Sequence, residues 1–325
     1  MENKKPPFVI TNRIIDYVAE IAELVGKLDS ANPFSANPTL RRSNRIRTIH
    51  GSLAIEQNTL SLEQVTAVLG GKQVLAPPKD IAEVKNAYEI YERLDELDPY
   101  SVDDLLTAHG IMMRGLVEES GIFRTRPVGV VDQSGHILHF GTLPHYVPDS
   151  VMNLLDWIKS SDVHMLIRSC VFHYEFELIH PFSDGNGRIG RVLISLYLYK
   201  AKVINFPFFY ISEAINMDKA VYYRMLTDSR TNSLDEWIKY FLHKVSLQTT
   251  KHIGYIDALN ALYTKTKNTV KECINSPKFD EIIECLFTHP VLNANMLEDE
   301  LAVSHGQAVR YLNVLEEKRV LLGDD

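Results

Sequence analysis

The twelve residues HPFSDGNGRIGR, His180 to Arg191, gather a histidine, a carboxylate, two arginines and three positions that leave the backbone bare. Gly185, Asn186 and Gly187 fall immediately before a helical stretch. A helix N-terminus carries about half a positive charge and unpaired N–H donors, so this loop is suited to cradle an anion. Arg188 and Arg191 are three apart and share one face of the first turn, placed for phosphate oxygens. Two arginines there oppose the helix dipole, which an anion between them would offset. Asp184 is the kind of oxygen ligand that Mg2+ takes when it also holds substrate phosphates. His180, just ahead of the loop, titrates near neutral pH and can serve as a general base. Singly, each residue has a plainer reading: a structural histidine, a turn, a solvated helix face. Their coincidence within one short segment points to chemistry on a phosphate.

That segment needs two rigid neighbours, and the sequence supplies them. Residues 163–179 are apolar nearly all round (Met165, Leu166, Ile167, Cys170, Val171, Phe172, Phe176, Leu178), which marks a buried central helix. Gly187 to Lys200 is equally apolar beyond its first turn. Helical spacing also predicts helices at 12–29, from about Leu40 to SLAIEQN (Ser52 to Asn58), at 62–69 with Ser61 as cap, 80–97, 102–116 with Ser101 as cap, 148–160, 213–227 and 233–265. Pro127 to Leu143 alternates β-branched residues around Asp132-Gln-Ser-Gly135, a hairpin signal and the one convincing β element of the first 270 residues. The fold class is therefore mainly α with one hairpin. Arg41, Arg42, Arg45 and Arg47 read as a solvated helix face. Lys72 is not a phosphate-loop lysine, because Thr66 holds the first glycine position and Gln73 replaces Ser or Thr.

Composition narrows the function classes. With 325 residues, 45% hydrophobic and 23% charged, the chain is ordinary globular protein rather than disordered or low-complexity. A net charge of −8 argues against a whole-molecule polyanion binder, so any positive potential must be local. Three scattered cysteines, Cys170, Cys273 and Cys285, form no disulfide framework, and MENKKPPFVI has no secretory apolar core. The longest apolar run, Val192 to Tyr199 interrupted by Ser195, is too short to span a bilayer. A cytoplasmic protein without membrane attachment is the expectation.

The motif resembles that of the Fic (filamentation induced by cAMP) family, H-x-F-x-D/E-G-N-G-R-x-x-R, at every fixed position: His180, Phe182, Asp184, Gly185, Asn186, Gly187, Arg188 and Arg191. The resemblance spans roughly residues 40 to 245. It implies a protein adenylyltransferase that moves AMP from ATP to a Tyr, Thr or Ser hydroxyl of a target protein and releases pyrophosphate. It implies His180 as the general base, Asp184 as the Mg2+ ligand, Arg188 at the β/γ-phosphates and Gly185, Asn186 and Gly187 as the anion hole. Ile189, Gly190 and Arg191 complete the nucleotide-binding segment, and Tyr222 and Tyr223 match a pair that borders the adenine. His173 reads as structural. The hairpin matches the flap that pins an extended target segment as an added strand. The related Doc branch, which phosphorylates, has Lys where this chain has Gly187, so AMP transfer is favoured.

SLAIEQN resembles the family's inhibitory helix, S/T-x-x-x-E-G/N, with Ser52 and Glu56 on one face. The resemblance implies that Glu56 binds Arg191 and blocks the productive γ-phosphate pose. Gln57 departs from the pattern, where Gly or Asn is usual, which bears on the geometry of the helix end. Removal of AMP, self-modification and homodimerisation also fall within what the family implies.

The C-terminal residues have the apolar spacing of a helix-turn-helix or winged-helix module, with Ser304 as cap and a strand expected to start at Val320. The expected organisation is an N-terminal helical region 1–97 with the inhibitory helix near 44–58, a catalytic core 98–250, a helical linker 251–274 and a winged-helix-like module 275–325. Such a module commonly reads DNA, so a transcription regulator is the alternative. Between Lys278 and Asp325, however, four basic residues face ten acidic ones, which disfavours DNA and suits a protein partner.

Overall fold

The computed structural model describes residues 7–31, 38–131, 137–204, 211–229, 233–289 and 292–322. The chain separates into two compact units, one of residues 1–29 and 44–250, the other of residues 30–43 and 251–325. The first five helices are α1 (Asn12–Ala31), α2 (Pro38–Ile55), α3 (Leu62–Leu69), α4 (Pro78–Glu92) and α5 (Val102–Met112). An antiparallel pair follows, β1 (Gly129–Val131) and β2 (Ile137–Phe140), with a register irregularity between Val130 and Val131. Then come α6 (Val147–Ser160), α7 (Met165–Ile179), α8 (Asn186–Lys200), α9 (Ile211–Asn216), α10 (Lys219–Asp228) and α11 (Leu234–Cys273). The last helices are α12 (Phe279–Thr288), α13 (Ala294–Leu301) and α14 (His305–Glu317). The fold is mainly α, as the sequence predicts. The expected hairpin turn at Asp132–Gly135 lies outside the described residues.

The core of the larger unit forms around α7 and α8. Both are apolar on every side and so must be enclosed. Cys170, Val171, Phe172 and Phe176 of α7 and Ile189, Ile194, Tyr197 and Leu198 of α8 are fully buried. Trp237 of α11 closes the core and donates its indole N–H to the Cys170 carbonyl at 2.8 Å. Capping fixes the peripheral helices. Ser61 and Gln64 form a reciprocal capping box at α3, and the Ser101 hydroxyl accepts the Asp104 N–H at α5.

Three expectations need correction. The helix expected at 213–227 is two helices, α9 and α10, because the chain leaves helical geometry at Asp218 (φ −141°, ψ 50°), whose carboxylate is held by Lys244 at 2.6 Å. Arg45 is not a solvated residue: it pairs with Glu92 and lies over the Tyr88 ring at 5.4 Å. No strand starts at Val320. The N–H groups of Val320 and Leu321 both turn back to the Leu315 carbonyl and close the end of α14. In the smaller unit, Val270, Ile282, Ile283, Leu297, Leu301, Tyr311 and Leu315 form a separate apolar core.

Candidate active site

Helix α7 stops at His180 because Pro181 follows, and a residue before proline is driven out of the right-handed helical region. His180 takes a left-handed conformation (φ 50°, ψ 63°), which costs a non-glycine residue about 1 kcal/mol. The surroundings hold it there. Its N–H reaches the Phe176 carbonyl at 2.9 Å, and its own carbonyl accepts from Arg124 Nε at 2.7 Å. Arg124 is itself buried and also bonds the carbonyls of Arg126, Thr142 and Ile179. Thr142 N–H and His139 Nε2 tie the hairpin side to the Ile179 and Leu178 carbonyls. The flap and the histidine therefore share one hydrogen-bonded joint.

The His180 imidazole is mostly buried, and its Nδ1 lies 4.0 Å from Glu177 Oε2. Burial pushes its pKa down to about 4, helped by the nearby His139 and Arg124. It is thus an unprotonated base at neutral pH. Burial pushes the Glu177 carboxyl up to about 7, against the pull of Arg191. Glu177 Oε1 is buried and has no hydrogen-bond partner among the described residues.

The loop between the two central helices is clamped from within. The Asn186 side chain accepts the Phe182 N–H and donates to the Phe182 carbonyl, each at 2.9 Å. Beneath it, His109 of α5 stacks on Phe182 with ring centroids 3.7 Å apart. Its Nδ1 accepts the Gly121 N–H, so Nε2 carries the proton donated to the Asp184 carbonyl at 2.9 Å. Gly185 (φ 83°) precedes α8 with no side-chain cap, and a Cβ there would sit 2.6 Å from Met113 Sδ. The first N–H groups of α8 are left without a capping side chain, as an anion site requires.

Both arginines of α8 are buried, each against carboxylates. Arg191 Nη2 donates to Glu56 Oε1 at 2.7 Å and to the Ser52 carbonyl at 3.1 Å, and its Nε to the Ser52 hydroxyl at 3.2 Å. Burial works against the Glu56 charge, but Arg191 outweighs it and holds the carboxyl below its usual range. Arg188 reaches Glu83 Oε1 of α4 at 2.8 Å and Asp184 Oδ1 at 2.9 Å. At Gly187 a Cβ would lie 2.7 Å from Glu56 Oε1 and 2.8 Å from Arg191 Nη1, so a side chain there would break into that pair.

The end of α2 is fixed as firmly as the loop. Gln57 has φ 67°, the left-handed position that Gly or Asn favours, so the departure in sequence is accepted at a strain of about 1 kcal/mol. Lys219 Nζ bonds the Ile55 carbonyl, a cation at a helix C-terminus.

These elements enclose a pocket of about 820 Å³, its open mouth included. His180, Asp184, Gly185, Asn186, Gly187 and Arg191 line it on the motif side. Glu56 enters from the end of α2, and Tyr222 and Tyr223 form the far wall. Tyr222 is fully buried and its hydroxyl bonds His173 Nε2 at 2.8 Å. Burial drives the His173 pKa down to about 3, a neutral structural role. Three expected nucleotide residues do not line the pocket. Arg188 is turned to Glu83, Ile189 faces the core, and Gly190 packs where a Cβ would lie 2.9 Å from His173 Nδ1. Ser52 also sits behind the wall, touching Arg191.

The sequence motifs do not include Glu83, His109, Arg124 or Glu177. Only Glu177 was within reach of the motif's spacing, three residues before His180. The donor set suits Mg2+ with phosphates rather than an all-protein metal cage. The Asp184 side chain is 49% exposed, and no cluster of three metal-ligating side chains occurs among the described residues.

Comparisons with known proteins place the fold and the motif in one family. The profile of the Fic/DOC family matches residues 97–198. A solved structure of a Fic family protein from Desulfovibrio desulfuricans is 35% identical, with a TM-score of 0.76, covering 97% of this chain and 92% of that one. The protein adenylyltransferase fic-1 of Caenorhabditis elegans is 28% identical over 242 residues, 70% of this chain and 45% of that protein. The protein adenylyltransferase Fic of Nematostella vectensis is 27% identical over 204 residues, 59% of this chain and 45% of that protein. The chain thus aligns with less than half the length of these two curated relatives.

Proposed function

The chain belongs to the Fic family, and from that premise we propose that it transfers AMP from ATP to a Tyr, Thr or Ser hydroxyl of a target protein. The observation that carries the reading is a mostly buried histidine, His180, in one pocket with an uncapped helix N-terminus and Arg191.

In this reading the target hydroxyl gives its proton to His180 as its oxygen attacks the α-phosphorus. The bond from that phosphorus to the bridging oxygen of the β-phosphate breaks, and pyrophosphate leaves. Phosphoryl-type transfer is mostly positioning and charge stabilisation, which fits a pocket whose loop is clamped by Asn186 and His109. Gly185, Asn186 and Gly187 cradle the phosphates, and Tyr222 and Tyr223 border the base. Asp184 would hold Mg2+, which would neutralise phosphate charge when bound. The flap pins the target segment beside His180.

Glu56 is the built-in inhibitor in this reading. Its carboxylate occupies the guanidinium of Arg191 that a γ-phosphate would need, and the low Glu56 pKa keeps it charged. The test is mass spectrometry of lysate treated with ATP and the Glu56→Gly variant. An AMP adduct on a hydroxyl side chain is expected, absent with His180→Ala. A phosphate adduct, or none, overturns the reading. No described helix is long and apolar enough to cross a membrane. The helix-turn-helix spacing of α13 and α14 leaves DNA binding as the alternative, disfavoured by the acidic charge of that segment, and a gel shift on random duplex at low salt would decide it.

A further inference from the structure

The two motif arginines lie one turn apart on α8, yet only Arg191 reaches the pocket. Arg188 is held away from it. Its Nη1 is fixed by Glu83 Oε1 at 2.8 Å, with both side chains only 4% exposed. Its Nε is buried without a hydrogen-bond partner among the described residues. Its Nη2 reaches Asp184 Oδ1, the half-exposed carboxylate at the pocket edge. Arg188 therefore has one buried carboxylate, one half-exposed carboxylate that also accepts the Gly185 N–H, and an Nε without a partner among the described residues.

Glu83 is anchored in turn. Its second oxygen accepts from Asn58 Nδ2 at 2.8 Å, and the same amide donates to the Asp80 carbonyl at 3.1 Å. Asn58 Oδ1 takes the Leu60 N–H, and the Asn58 N–H closes the end of α2 on the Leu53 carbonyl. Asn58 stands two residues after Glu56. The same short stretch of chain therefore reaches Arg191 directly and Arg188 through one intermediate.

A carboxylate and a phosphate compete for the same guanidinium fork, because both offer paired anionic oxygens. We propose that Glu83 is a positioning residue, a second counter-carboxylate that withholds Arg188 from the β- and γ-phosphates of the nucleotide, with Asn58 as the anchor that keeps it in place. The inference rests on the pocket being the ATP site. It makes the end of α2 a double lock: Glu56 on Arg191, and Asn58 with Glu83 on Arg188.

The difference between ATP and AMP affinity isolates the β- and γ-phosphates, so it reads Arg188 without needing turnover. Titration calorimetry of ATP and of AMP against the full chain should show Glu83→Gln binding ATP about fivefold tighter, with AMP unchanged, the order expected when one charged competitor is withdrawn. Glu83→Asp, which keeps the charge, should stay near the parent ratio. A purely structural Glu83 would move both nucleotides together with the melting temperature. An unchanged or reduced ATP-to-AMP affinity ratio in folded Glu83→Gln overturns the proposal. Should that variant not fold, Asn58→Ala keeps the Glu83–Arg188 pair and removes its anchor, together with the bonds of the same amide to the Asp80 carbonyl and the Leu60 N–H. Its ratio should rise about twofold, less than in Glu83→Gln because the competing carboxylate is loosened rather than removed, and an unchanged ratio overturns the proposal. The AMP-transfer reading fails separately, through absence of AMP adducts from Glu56→Gly.

Discussion

Helices α8 and α14 each carry arginine, but their first turns are built in opposite ways. At α14, Ser304 occupies the cap position in extended conformation, His305 pairs with Glu298 at 3.0 Å, and Arg310 projects into solvent. At α8 the cap is a left-handed glycine with no side chain, and Arg188 and Arg191 are buried against four acidic or hydroxyl groups, Glu83, Asp184, Glu56 and Ser52. An ordinary surface helix leaves its cation in water, where it costs little. Two buried arginines at the positive end of a helix are tolerated only because carboxylates neutralise them. In the proposed reading the same carboxylates stand where phosphates would bind, and their removal would admit one.

The comparison can be broken most severely at Arg191. Arg191→Ala leaves Glu56 without its partner, and unpaired buried charges of this kind cost about 3–5 kcal/mol. Glu56 keeps partial solvent access, so the loss should fall near about 3 kcal/mol, read as a lower denaturation midpoint. A loss below about 0.5 kcal/mol would mean that α8 treats its arginine as α14 does.

A smaller effect is expected at Glu177, which faces Arg191 of α8, Glu56, His180 and Tyr222 and Tyr223 of α10. Its pKa is raised from 4.5 to about 7, so between those values the folded protein keeps a proton that the unfolded chain has released. Stability from this group therefore falls as pH rises through that window. Glu177→Gln removes the dependence, and its melting temperature relative to the parent should climb as pH rises from 4.5 to about 7. A difference that does not vary with pH contradicts the assignment.

The smallest effect belongs to α14. Arg310→Ala should change stability by no more than about 0.5 kcal/mol and leave nucleotide binding unaltered. Loss of duplex binding in that variant would instead revive the DNA-reading alternative.

The contrast also shows why some of the site was legible and some was not. HPFSDGNGRIGR could be read because its chemistry is local: a base, a bare loop and a helix start in twelve residues. The apolar pattern of α7 and α8 predicted burial because no solvent-facing stripe remains on either. Ser52 and Glu56 are visible as an i, i+4 pair matching a known pattern, and both contact Arg191 in the structure. Glu83 and His109 were not visible, because each reaches the motif across 75 to 105 residues of chain from an otherwise unremarkable helix face. Arg124 lies in an irregular stretch where periodicity carries no signal, and only its carbonyl partners give it meaning. The break at Asp218 was hidden because apolar spacing continues across it, and the strand expected at Val320 failed because short apolar ends close helices as readily as they begin strands.

The central claim is that an acidic protein binds ATP through a narrow positive site whose counter-charge can be removed. The direct measurement is label incorporation from ATP marked at the α- or the γ-phosphate, comparing the parent chain, Glu56→Gly, and Glu56→Gly with His180→Ala. The account predicts α-label on protein at least about tenfold above the parent in Glu56→Gly, worth roughly 1.4 kcal/mol. It predicts a loss of about 10²-fold or more when His180 is also replaced, and no γ-label in any variant. Incorporation of γ-label, or no gain from Glu56→Gly, would contradict it.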